Sequence, residues 1–262
     1  MRVFDLSLGQ MLWSRRTIFM LLVVAAPVVM ALVARIVQGA GIAPLRVNGV
    51  RVGGAGMFGM MIWLLYLRFI VPVLGVFYGT ALIADEVEDK TITYLFTRPI
   101  SRGAVLVGKY LAYLVCTLFV VLPSVMIAYF LLVPFGEVAG SFGSLLIDLG
   151  MLGLGLACYG ALFACVGAFF RRPLVIGLVF VFGWEQVALL MPGYMRQFTL
   201  AHYLQALVPH AMPANETLSL FQAVFREVPS TPVSLFWLAV ALVAALALAV
   251  RAVERREYVL EQ

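Results

Sequence analysis

Four carboxylates, Asp85, Glu86, Glu88 and Asp89, fall within a single stretch of five residues. Clustered acids are the kind of oxygen-rich site with which proteins hold magnesium for phosphate chemistry. An intramembrane lipid-modifying enzyme built on them would need supporting His or Asp residues in the other segments on the same side of the membrane, and none is clustered there. Gly103, Gly108 and Lys109 match the first part of a phosphate-binding loop, but Tyr110 stands where a Ser or Thr hydroxyl must hold magnesium. Lys109 reads instead as a snorkelling cation that carries its ammonium back to water. Gly54, Gly56 and Gly59 have the spacing of a dinucleotide fingerprint without a βαβ unit around them, so they read as a flexible turn.

Arg15 and Arg16, followed by Ile18, Phe19 and Met20, fit a twin-arginine export pattern. Five further apolar runs make them simply the basic flank that orients a first helix. Asn215, Glu216 and Thr217 form a glycosylation sequon at chance frequency. His202, His210 and Met212 could bind a soft metal such as copper, but two histidines in a loop are ordinary and no second cluster supports them. Cys116, Cys158 and Cys165 lie in apolar runs without metal-finger spacing and read as packing residues. No resident metal or cofactor is expected.

The elements that must position any chemistry are dictated by composition. Of 262 residues, 64% are apolar and 12% charged, against about 45–50% and about 25% in soluble domains. Apolar runs long enough to cross a bilayer occupy residues 17–37, 69–84, 105–133, 144–170, 173–191 and 233–253. The expected fold is an all-α integral membrane protein, residues 1–262 forming one domain with six transmembrane helices. Residues 1–16 form an N-terminal interfacial helix with Arg2, Arg15 and Arg16 beside an apolar face. Residues 192–232, between spans five and six, carry two short external helical patterns at 197–208 and 216–227, interrupted by Pro209 and Pro213. The apolar piece 57–67 before Arg68 is either the start of one long tilted second helix or a re-entrant piece. Nothing is left for a fused ATPase, a Rossmann unit or a nucleic-acid module.

With both termini cytoplasmic, 12 of the 18 Lys and Arg residues fall inside and 6 outside, the sense of the positive-inside rule. Arg46 and Arg51, in the glycine-rich loop 38–56, run against it. Arg68, Asp148 and Glu185 are the ionisable residues nearest membrane depth, and such residues are functional candidates by default. Counting at about 1.5 Å per residue from the run boundaries puts Arg68 and Asp148 near the outer interface and Glu185 deepest. Glu185 then needs a partner, and Arg68 is one candidate; a substrate-facing or proton-linked role and a helix break that admits water are the others. Gly75 and Gly79, and the stripe Gly153, Ala157, Gly160, Ala164 and Gly167, offer smooth faces for close helix packing, within the chain or between subunits. Pro72 and Pro123 lie inside spans.

Between spans two and three, Asp85 to Phe96 reads as a short helix with acids in its first turns, Ile92, Leu95 and Phe96 at helical spacing, and Pro99 ending it. Such a segment is either a solvated loop or an amphipathic docking surface. The run from Leu82 to Arg102, with its acidic pair, Thr91, the turn around Leu95, Pro99, Ser101 and Arg102, closing on Gly108 and Lys109, resembles the signature of ABC-2 type permease subunits. Lys90 departs from it, standing where that family usually has glycine. The resemblance implies a bacterial inner-membrane permease subunit, an exporter by preference, without an ATPase site of its own. It implies a partner cytosolic ABC ATPase in two copies and a second permease copy, identical or similar, with membrane lipids around them. On that reading Asp85, Glu86, Glu88, Asp89, Thr91, Leu95, Pro99 and Arg102 belong to a coupling region, 85–103, that docks on the ATPase, and Arg171 and Arg172 form a second, smaller contact. A membrane scaffold that moves no solute is the remaining alternative.

Overall fold

A computed structural model describes residues 15–40, 46–47, 50–51, 53–82, 102–190, 194–209 and 229–255. Residues 1–14 of the interfacial segment 1–16, the acidic run with Asp85, Glu86, Glu88, Asp89, Thr91, Leu95 and Pro99, the helical pattern 216–227, His210 and Met212 lie outside the described residues, and Arg15 and Arg16 belong to the first long helix.

The described chain is helical apart from connections and one two-residue ladder. Helix α1 is Arg15–Gly39. After it, β1 (Arg46–Val47) pairs with β2 (Val50–Arg51) antiparallel, Arg46 opposite Arg51 and Val47 opposite Val50. Helix α2 is Gly54–Gly79, so residues 57–67 are continuous with the second span and not a separate re-entrant piece. Helix α3 is Arg102–Leu132 and α4 is Phe135–Phe169. Helix α5 covers 173–190, a 3₁₀ turn covers Tyr194–Phe198, α6 is Leu200–Gln205 and α7 is Thr231–Arg255. Five of these helices are long and apolar enough to cross a membrane, and the apolar Pro173–Ala188 is shorter.

Local chemistry sets the boundaries. Pro134 has no N–H to continue α3, yet its extended backbone suits the residue just before a helix, so α4 restarts at once. Glu137 in the first turn complements the helix dipole, which extends α4 nine residues ahead of the purely apolar run at Ser144. At the far end Phe170 turns extended, and Arg172 leaves the helical region, at φ −124° and ψ 66°, because the Pro173 that follows disfavours a helical backbone there. Within α2 the backbone widens into π turns at Ile62–Ile70 and Gly75–Gly79. Val71 N–H reaches five residues back to Tyr66 O, and Pro72, having no N–H, cannot hold the regular register there.

The helices cross alternately between two ends. At one, Gln38 donates to Met57 Sδ at 3.2 Å, and Gly54 is so close to Leu132 O and Pro134 that no side chain fits. At the other, a Cβ on Gly103 would lie 2.7 Å from Val250 and 2.9 Å from Glu254, and one on Gly167 would lie 2.6 Å from Thr80 O. Phe19 packs against Phe77 near this same end, the tilted rings 4.8 Å apart at their centres. The start of α1 and the end of α7 therefore share one end of the molecule. The glycine stripe lies inside the chain's own packing: a Cβ on Gly75 would meet Tyr159 Cβ at 2.7 Å, one on Gly79 would meet Phe163 Cβ at 2.9 Å, and Gly160 lies under the Tyr113 ring. Around these contacts a core of Tyr66, Tyr78, Tyr113, Tyr159 and Phe163 is fully buried. Exposed Ile18, Leu22, Val179, Phe236 and Val243 give α1, α5 and α7 the apolar outer faces that lipid requires.

Candidate functional site

Polar side chains converge where α2, α4, α5 and α6 meet. Because α2 starts at Gly54, Arg68 lies about 21 Å from one end and about 16 Å from the other. It is a mid-depth residue and not one of the rim, as the apolar-run boundaries suggested. Asp148 is about 20 Å from the start of α4 but about 32 Å from its end at Phe169, which keeps it at the rim of a core about 30 Å thick, and it is fully buried. Glu185, about 18 Å along α5, is 2% exposed.

Glu185 Oε1 accepts a hydrogen bond from the Tyr159 hydroxyl on α4 and a second, at 3.3 Å, from the Ala201 N–H on α6. Arg68 Nη1 donates to Gln186 Oε1 at 3.0 Å, its guanidinium lies 4.9 Å from the Trp63 ring centre, and it attracts Glu185 electrostatically. Of the roles open to Glu185, the partnership with Arg68 is met in proximity, while the hydrogen bond of Arg68 goes to the neighbouring Gln186. His202 and Gln205 of α6 are buried beside the cluster, His202 edge-on to Tyr203 at 5.3 Å. A buried carboxylate with two donors and a guanidinium stacked on an aromatic face are both arrangements that hold charge away from water. Tyr159 and Gln186 went unrecognised in the sequence. Gln186, an amide next to an acid in an apolar run, carried a signal, whereas Tyr159 sat unremarkably among small residues.

The opposite junction lies at the end that holds Leu82, Lys109, Arg171 and Glu254. Lys109 is buried, 8% exposed, and donates to Leu82 O at 3.3 Å, so it does not snorkel to water. The stretch Gly103–Tyr110 lies wholly within α3, which removes the phosphate-loop reading. Tyr110 and Tyr113 donate to Ala157 O and Leu156 O, each at 2.9 Å, tying α3 to α4. Arg171 and Arg172 are exposed in the turn between α4 and α5, and Arg102 opens α3. Among the described residues no group of three or more His, Cys, Asp or Glu could hold a metal ion.

A family description, ABC-2 family transporter protein, matches residues 8–258, nearly the whole chain. The chain belongs to the ABC-2 family. No curated protein matches it. This ABC-2 protein is accordingly a multi-pass membrane permease subunit of an ABC transporter, and its family generally works with an ATPase partner. The all-helical architecture agrees.

Proposed function

We propose that this permease is the membrane half of an exporter in a bacterial cytoplasmic membrane, driven in trans by a cytosolic ABC ATPase. The coupling region 85–103 docks on the ATPase, and Arg171 and Arg172 make the smaller contact. Helix 173–190 serves as a fifth crossing, giving six spans with both termini cytoplasmic. Two permease copies and two ATPases make the working unit, and the cargo is hydrophobic or amphipathic.

The observation that supports this best is the gathering of junctions at one end of the bundle. Leu82, where the acidic run begins, is bonded to Lys109 just after the run ends. Thr80 is packed on Gly167, close to the exposed Arg171–Arg172 turn. A push on either segment would reach α2, α3 and α4 together and tilt them as packed bodies.

Co-purification with a co-expressed ABC ATPase subunit tests the reading. The wild-type permease should retain the ATPase, Glu86→Arg or deletion of residues 87–96 should release it, and Arg171→Glu with Arg172→Glu should weaken binding by roughly tenfold, as loss of a charge-paired contact does. Retention by all these variants would remove the docking assignment. Turnover of a lipid by the purified chain alone would favour the enzyme alternative.

A further inference from the structure

Helix α6 is six residues long, about 9 Å, far too short to cross a membrane, and none of its residues is exposed. It is inserted among the long helices instead of lying on their rim. Leu204 and Val71 both close on Gly155 of α4, at 3.4 and 3.2 Å from where a Cβ would stand, and α6 also packs against α7. Measured at about 1.5 Å per residue from the end of the bundle that holds Gly79, Phe169 and Pro173, Val71, Gly155 and Glu185 lie about 12, 21 and 18 Å in, within a core about 30 Å thick. Thr199, the residue before α6, makes no side-chain cap and turns its hydroxyl to Arg196 O at 2.8 Å. An α6 backbone donor is served by Glu185, which also accepts from Tyr159.

We infer that α6 is a plug at mid-depth in the helix bundle and that Glu185 is the positioning residue that seats it. One carboxylate bridges α4 and α6 from α5, so the seat exists only while those three elements keep their present spacing. A tilt of α4 away from α5 breaks the bridge and frees α6, which links the motion of the long helices to clearance of the interior. Backbone irregularity flanks the seat on both sides: π turns occupy Ile62–Ile70 in α2 and Phe180–Trp184 immediately before Glu185. Such turns mark places where a helix can change register. The use of the plug in transport rests on the permease reading, but the seat itself does not.

Hydrogen exchange on the full chain in lipid nanodiscs, without any partner, tests the seat separately from ATPase docking. In wild type, residues 200–205 should be protected. Glu185→Ala should speed their exchange by about tenfold, the loss of a buried hydrogen-bond acceptor, with α3 and α7 unchanged. Glu185→Gln, which keeps shape and an acceptor, should give a smaller rise, and Tyr159→Phe, which cuts the α4 arm of the bridge but leaves the Ala201 bond, should give a rise between that of wild type and that of Glu185→Ala. A Leu204→Cys probe should become reactive to a membrane-impermeant thiol reagent when combined with Glu185→Ala and stay protected without it. Unchanged exchange in both Glu185 variants, or a rise spread equally over α3 and α7, would overturn the inference.

Discussion

At the scale of single residues, absent side chains matter as much as polar ones. Gly75 lets α2 approach α4 until a Cβ would lie 2.7 Å from Tyr159 Cβ, an atom next to the backbone that cannot swing aside. Tyr159 is the residue that holds Glu185. Gly75→Ala should therefore cost about 1–3 kcal/mol of stability, the usual penalty of overpacking, and should displace the Tyr159 hydroxyl from the carboxylate. Gly153→Ala is the control: its nearest neighbour, Leu118 Cδ2, would be an ordinary 3.4 Å away, so stability should change little. Thermal unfolding of the two variants in matched lipid checks both. Small residues at helical spacing were visible in the sequence, but their partners were not, because spacing states which face is smooth without stating what lies against it.

At the scale of elements, five of the six apolar runs fall in helices long enough to cross a membrane, the run 173–191 forms a shorter apolar helix, and the helix ends were located poorly. Residues 144–170 were apolar enough to be read as a span, yet α4 begins at Phe135, because Pro134 and Glu137 favour a helix start whatever the hydropathy of the next turns. That difference adds about 14 Å of helix at the Phe135 end and leaves Asp148 about 32 Å from Phe169, still at the rim. The π turns of α2 and α5 were not legible either, since they depend on how a proline-bearing helix settles against its neighbours. Lys109 shows how contact overrides a pattern. A lysine near the end of an apolar run suggests snorkelling, but here the neighbouring end of the second span offers a carbonyl nearer than water, at Leu82. Lys109→Met should lower stability by about 1–3 kcal/mol, because it leaves that buried carbonyl without this donor. Lys109→Arg, which keeps charge and donors, should recover part of the loss. A denaturation series on wild type and the two variants under one lipid condition measures the difference, and a Lys109→Met protein as stable as wild type would show that the contact holds nothing.

For the whole molecule, the fold class and the family were legible because both rest on features that survive without coordinates: long apolar runs and one charged, punctuated segment. What the contacts add is parity. Gln38 meets Met57 at one end, while Gly103 meets Glu254 and Gly167 meets Thr80 at the other, so Arg172 and Arg255 must face the same side and Phe135 the opposite one. The absolute side proposed above rests on charge, 12 cations against 5 once mid-depth Arg68 is left out, and on the rule that Lys and Arg resist translocation. Single cysteines at 135, 172 and 255, introduced by Phe135→Cys, Arg172→Cys and Arg255→Cys with Cys116, Cys158 and Cys165 replaced by Ala, test this. All three positions are exposed. An impermeant maleimide should label position 135 in intact cells and positions 172 and 255 only after lysis. Labelling of 172 and 255 on opposite sides would break the parity of the bundle. Labelling of both from outside would keep the fold but turn the Arg171–Arg172 turn and the junctions at Leu82 and Lys109 away from any cytosolic motor, and the proposed drive would have nothing to push against.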